Sequence, residues 1–251
     1  MTKSGFTKLI AAALIIGGAQ SAVAAVSPRS TTASSGSLQG TKEALDLPLM
    51  ERLAVLREQS GSYENLRQLM FSKSASMDTR WKAVTAFGRL GREKSKADLA
   101  RAMKAPEWYM RNAALVSMAT IDASEAVAWA RRLMSDKALV VRSAAVDVIA
   151  QSHDAASTDL LWQKLYAKEN YRKKQSLFIR RRIVEALGEM EQKGVESKFV
   201  AILQDKDVNL HEPAIEALER ITKKQIGSPG EPVQFRRAKW EEWYKQNRAT
   251  L

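Results

Sequence analysis

A nine-residue pattern that returns five times along the chain limits its fold more than any other feature. It consists of an apolar or small residue, a basic residue, two variable positions, and then apolar residues at fixed offsets. The copies are Thr79–Phe87, Met110–Met118, Val141–Ile149, Ile179–Leu187 and Leu210–Leu218, the last with His in place of Arg. The anchors Arg80, Arg111, Arg142, Arg180 and His211 are 31, 31, 38 and 31 residues apart. From each anchor, the third, fourth and seventh following positions are apolar, from Ala83, Val84 and Phe87 to Ala214, Ile215 and Leu218. That spacing puts three side chains on one face of a helix. Nine residues before four of the anchors stand Phe71, Ala102, Leu133 and Ile202, placing a second helix ahead of each patterned one. The unit is therefore helix, short turn, helix. Such a pair cannot bury its apolar face alone, so successive pairs must stack on one another. An all-β reading also fails on composition: 12 Gly and 6 Pro are too few for the turns it needs.

This second-helix pattern resembles the HEAT-repeat family, specifically its short bacterial HEAT-like members, over roughly Leu66–Thr222. The resemblance implies an all-α, right-handed α-solenoid of about five helix pairs, with second helices lining the concave side. It also implies that the recurrent arginine pairs with an aspartate in the turn of the same or the next repeat. Asp136 and Asp205, each six residues before an anchor, fit that role, and the other three copies lack an aspartate there. The Arg ladder, with His211 in its last position, is expected to tie adjacent units. Tetratricopeptide repeats, with a different period and a Trp/Gly/Tyr pattern, do not match.

Outside the repeats, Lys3 and Lys8 precede the apolar run Leu9–Ala19, and Ala22-Val23-Ala24 follows as a small-x-small motif. These are the parts of a secretory signal peptide. They predict cleavage near Ala24 (domain 1–24), no membrane span afterwards, and a periplasmic or secreted product. Residues 25–45 are Ser/Thr-rich and read as a flexible tether, because they carry too little apolar surface to offset ordering entropy. Folding is expected to begin near Asp46 and Pro48, with a leading helix near Leu49–Glu58, and the repeat domain to span 46–226. The segment 227–251 breaks at Pro229 and Pro232 and resumes with Phe235, Trp240, Trp243 and Tyr244, an aromatic helix suited to capping the open end of a stack.

The chemistry is sparse. Cysteine is absent, excluding disulfides, thiolate nucleophiles and thiolate metal sites. His153 and His211 are the only imidazoles, and neither has a second His at ligand spacing. The HExxH zinc motif, the phosphate-cradling glycine loop and the G-x-S-x-G nucleophile motif are all missing. The sequence thus predicts a non-catalytic scaffold without cofactor or metal. Against this stands a nucleic-acid enzyme: alkylpurine DNA glycosylases are also short HEAT-like arrays, and Pro106–Arg111 resembles their Trp-and-Arg helices loosely. No Asp follows in the equivalent position, and an export signal argues against DNA repair. HEAT-like bilin lyases form a third analogy, with no motif to support it.

The net charge of +12 favours anionic partners. Its focus is the seven-residue insertion before the fourth anchor. Between Lys168 and Arg182 stand seven cations and one anion, with Tyr171 and Phe178 interleaved. An insertion that interrupts a strict period and concentrates charge is a candidate recognition element. Tyr171, Arg172, Lys173, Lys174, Arg181 and Arg182 are therefore the expected contacts. The expected partner is another protein or an acidic component of the bacterial envelope, rather than nucleic acid. An ordinary solvated loop is the alternative reading of the same segment.

Overall fold

A computed structural model describes residues 36–249, so the proposed signal peptide lies outside the described residues. The described residues are mostly helical. Two short helices lead, α1 (Leu38–Ala44) and α2 (Leu49–Glu58). Paired helices follow: α3 (Ser62–Phe71) with α4 (Met77–Gly91), α5 (Lys96–Ala102) with α6 (Trp108–Ala119), and α7 (Ala123–Leu133) with α8 (Leu139–Gln151). Then come α9 (Thr158–Leu165) with α10 (Ile179–Glu189), and α11 (Glu196–Ile202) with α12 (His211–Thr222). A final helix, α13 (Val233–Asn247), lies against α11 and α12.

The second helices also pack in succession, α4 on α6, α6 on α8, α8 on α10 and α10 on α12. Phe87, Met118, Ile149, Leu187 and Leu218 occupy equivalent positions in this row, and all are buried. One residue beyond the first four stands a small side chain: Gly88, Ala119, Ala150 and Gly188. A Cβ added at Gly88 would come within 2.8 Å of the Ser117 Cβ, and one at Gly188 within 2.8 Å of the Ala217 Cβ. Close helix approach at these points requires the missing side chain. Four of the second helices are followed by a residue of positive φ, at Arg92, His153, Glu191 and Lys223, so positive-φ stops recur without glycine.

Two features at the N-terminal side depart from the sequence reading. Leu38–Ala44, within the expected tether, is a helix whose Thr41 and Ala44 are buried, as is Leu45 beyond its end. The Ser37 side chain caps the Gly40 amide, and the Asn65 amide on α3 donates to the Gly36 carbonyl at 2.8 Å and to Thr41 Oγ1 at 3.0 Å. This segment has few large apolar residues, so its composition hides a face that fits against α3. Asp46 makes no helix cap; it accepts from Lys82 at 3.1 Å, and α2 starts behind Pro48 without a side-chain cap. At the other end Trp240 is fully buried, while Arg236 donates to Glu212 at 2.6 Å and to Glu219 at 3.0 Å.

Candidate functional site

The anchors form a more complete ladder than the turn aspartates suggest. Each reaches backward to a carbonyl where the first helix of its own pair ends, and all but His211 reach forward to a polar side chain before the next second helix. Arg80 donates to the Met70 carbonyl at 3.1 Å and to Glu107 at 2.7 Å. Arg111 donates to the Ala105 and Pro106 carbonyls and forks onto Asp136 at 2.6 and 2.7 Å. Arg142 donates to the Asp136 carbonyl at 2.8 Å and to Asn170 Oδ1 at 3.0 Å. Arg180 donates to the Leu165 carbonyl at 2.9 Å and engages both oxygens of Asp205. His211 Nε2 lies 2.9 Å from the Asp205 carbonyl. Glu107 and Asn170 thus take the place of aspartate at different sequence offsets, which the fixed-offset reading missed. A longer side chain, or a neutral acceptor, reaches the same guanidinium from a different backbone position.

The insertion is a β-hairpin, not an open loop. Strand β1 (Tyr171–Arg172) pairs antiparallel with β2 (Gln175–Ser176), with Tyr171 opposite Ser176 and Arg172 opposite Gln175. Lys173 and Lys174 form the tip at φ 49° and 67°. Two residues of positive φ are what a two-residue hairpin turn requires, and Asn-Gly is the pair that adopts it most readily. Asn170 pins the base: its side chain donates to the Lys164 carbonyl at 2.7 Å, and its carbonyl accepts from the Leu177 amide at 3.0 Å. Below the hairpin, Tyr171 and Tyr166 lie 4.7 and 5.2 Å from the buried Arg180 guanidinium.

The six expected contact residues do not form one cluster. Arg172, Lys173 and Lys174 are exposed and make no ion pair with the described residues. Tyr171 is half-buried over Arg180 and belongs to the hairpin's support. Arg181 donates to Glu185 at 2.8 Å, one turn along α10. Arg182 reaches across to Asp147 on α8 at 2.9 Å. Burial pushes the Asp147 carboxyl above its ordinary value, and the Arg182 hydrogen bond only partly offsets this. Each arginine thus pairs with a different carboxylate of the stack while staying partly exposed, because consecutive residues on α10 face different neighbours.

Between the hairpin and the turn before α12 lies an open hollow of about 570 Å³, whose walls include Lys174, Gln175 and Ser176 on one side and Gln204, Lys206 and Asp207 on the other. Asp205, at its floor, is held below its ordinary value; burial pushes it up, but the Arg180 hydrogen bond and the Asp207 amide outweigh that. Lys206 was not singled out in the sequence. The signal available was the repeat period, since it occupies the turn one unit after the hairpin. Among the described residues, no three His, Asp or Glu side chains are grouped to hold a metal ion.

No family model matches the chain, and no curated protein does. Among solved structures it is similar to the complex of CpcE and CpcF of phycocyanin lyase from Nostoc sp. PCC7120. That match has 14% identity, covers 90% of this chain and 99% of that one, and has a TM-score of 0.43. It corrects one expectation. The neighbour is named as a lyase, so the missing catalytic motifs do not license the conclusion that this chain is not an enzyme. Those motifs cover few reaction types, and activity resides in sites rather than in folds.

Proposed function

We propose that the chain is an exported scaffold of the bacterial envelope that binds an acidic partner through its basic hairpin. In this reading the signal peptide is cleaved near Ala24, and the mature protein, periplasmic or secreted, is a right-handed solenoid of five HEAT-like helix pairs. The partner is another protein or an acidic envelope component.

One observation carries the reading. The carboxylates around the hairpin are already engaged, Glu169 with Lys164 at 2.9 Å and Asp205 with Arg180, whereas Arg172, Lys173 and Lys174 project without a partner. Lys164 and Arg180 neutralise these two carboxylates, and the tip cations remain free for an outside anion. Nucleic acid is disfavoured by the concave row, where Asp147, Glu185 and Glu216 alternate with Arg182, Arg181 and Arg220 in ion pairs. A nucleic-acid track needs a continuous basic face.

The test is in-cell crosslinking from a photoreactive residue placed at Gln175, with the crosslinked species identified. The expected result is a defined acidic partner, lost in the triple variant Arg172→Glu, Lys173→Glu, Lys174→Glu and weakened by raised salt, because exposed charges are screened. Undiminished crosslinking in a folded triple variant would overturn the reading.

A further inference from the structure

The two edges of the stack differ in a way that the helix pattern does not require. One edge carries the turns inside each helix pair, and the other carries the loops between pairs. At the first edge, the opening turn of each second helix, or the residues just before it, exposes a large apolar side chain: Met77, Trp108, Val140, Phe178 and Val208. Their exposure reaches 44% for Trp108, 59% for Phe178 and 64% for Val208. Tyr166, at the end of α9, adds a sixth at the same edge. Among the described residues, the loops between pairs expose no large apolar side chain.

The first edge also carries unpaired positive charge. Each turn inside a pair carries an exposed lysine: Lys73, Lys104, Lys137, Lys173 with Lys174, and Lys206. None of them is hydrogen-bonded or ion-paired to a described carboxylate, although Lys104 also lies over the Trp129 ring. Three acids of these turns are neutralised from within, Glu107 by Arg80, Asp136 by Arg111 and Asp205 by Arg180, while Asp207 accepts from the Asn209 amide. At the opposite edge several cations are paired, Lys96 with Asp122, Arg131 with Asp154 and Lys223 with Glu191, while Lys94 and Lys193 stand exposed. The ladder therefore neutralises three acids of this edge and leaves its lysines and apolar tips outward.

We propose that this edge is a peripheral membrane-binding surface, with its lysines against anionic phospholipid headgroups and its apolar tips in the interfacial layer. This rests on the acidic-partner reading above and names that partner as a lipid surface. Spacing favours a bilayer over a protein. Neighbouring second helices pack at roughly 8–10 Å, so the apolar tips recur singly at about that interval, each beside a lysine. A protein interface concentrates its energy in a contiguous, desolvated cluster. A headgroup layer instead accepts isolated aromatic and aliphatic tips one by one, and unpaired lysines beside them add attraction to anionic lipid. Trp108 has the amphipathic ring that such an interface favours.

The test is co-sedimentation of the mature protein isolated from its own cells with vesicles of phosphatidylglycerol and phosphatidylethanolamine, with phosphatidylcholine vesicles as the neutral reference. Three variants are compared with the wild type, all sharing the same N-terminus. Lys73→Glu with Lys104→Glu and Lys137→Glu alters the edge far from the hairpin. Trp108→Ser with Phe178→Ser removes apolar tips, and Lys94→Glu with Lys193→Glu alters the opposite edge. Wild type should bind the anionic vesicles only. At about fivefold per lysine removed, the triple variant should lose at least roughly a hundredfold in partition, since reversal adds repulsion; the apolar variant should lose binding as well, and the opposite-edge variant should match wild type. Absence of binding to anionic vesicles overturns the inference, as does equal loss from both edges, which would mean unspecific charge attraction. Loss of a protein crosslink with unchanged vesicle binding would make the edge a protein interface and overturn it too. If vesicles fail to bind but reversal of the hairpin still abolishes crosslinking, the hairpin reading stands and the membrane reading falls.

Discussion

Replacing Asp136 by Ala removes the carboxylate on which Arg111 forks, and it tests whether the ladder stabilises the stack. The two side chains are 7% and 8% exposed, and Asp136 also accepts from the Ala138 amide at 2.8 Å just ahead of α8. Removing one partner of a buried ion pair costs about 3–5 kcal/mol, because the other charge stays buried. Arg111 Nη1 keeps its bonds to the Ala105 and Pro106 carbonyls at 2.8 Å, so the guanidinium is not wholly orphaned. The expected loss is therefore at the lower end, about 3 kcal/mol. For an array of this length that lowers the Tm by roughly 6–12 °C. Asp136→Asn retains a neutral acceptor and should lose about half as much. The assay is urea and thermal unfolding followed by circular dichroism, repeated from neutral to acid pH. Burial pushes the Asp136 carboxyl up, but hydrogen bonds from Arg111 and the Ala138 amide outweigh it, leaving it below its ordinary value. A carboxylate lowered in the folded state contributes stability above its unfolded value of about 3.9 and loses it as pH falls through the folded value. The Ala variant should accordingly show a flatter acid limb. A loss below about 1 kcal/mol with an unchanged acid limb would refute the reasoning and leave the interface to apolar packing.

Leu187→Ala, at a position 2% exposed, should cost about 2–5 kcal/mol in urea unfolding; a negligible change would mean that the packing register of α10 is wrong. Gly188→Ala should destabilise by about 1 kcal/mol despite alanine's better helix propensity, because the new Cβ would meet the Ala217 Cβ at 2.8 Å; unchanged or raised stability would show that α10 and α12 move apart freely. Lys173→Asn with Lys174→Gly should stabilise the fold by about 1 kcal/mol by relieving two positive-φ lysines, while weakening crosslinking from the hairpin. Full crosslinking by that variant would remove the tip charges from the site.

The repeat period was legible because it follows from burial. The positions three, four and seven after each anchor must be apolar if second helices are to stack, and all five residues at the seventh position, from Phe87 to Leu218, are buried. The leading helix was legible for the same reason, and α2 spans Leu49–Glu58 as its stripe implied. Helix α1 was not, since Thr41 and Ala44 carry no hydrophobic signal until α3 supplies the surface they fit. The acceptors Glu107 and Asn170 were missed because a fixed offset tracks backbone position, whereas a guanidinium is met by whatever acceptor reaches it.

The candidate site divides along the same line. Sequence alone placed an excess of positive charge between Lys168 and Arg182, and charge is a property of composition that needs no fold. Only the tertiary structure decided which of those cations are free. Arg180 is buried against Asp205, and Arg182 is held by Asp147, 35 residues earlier in the chain. Arg172, Lys173 and Lys174 stand clear on a hairpin that Asn170 fixes from below. The same holds for the lysines and apolar tips of the turns, which lie about a repeat apart along the chain. Stacking brings them to one edge, because it sets equivalent positions of successive units side by side, and ion pairing is settled by distances that exist only once the stack has formed.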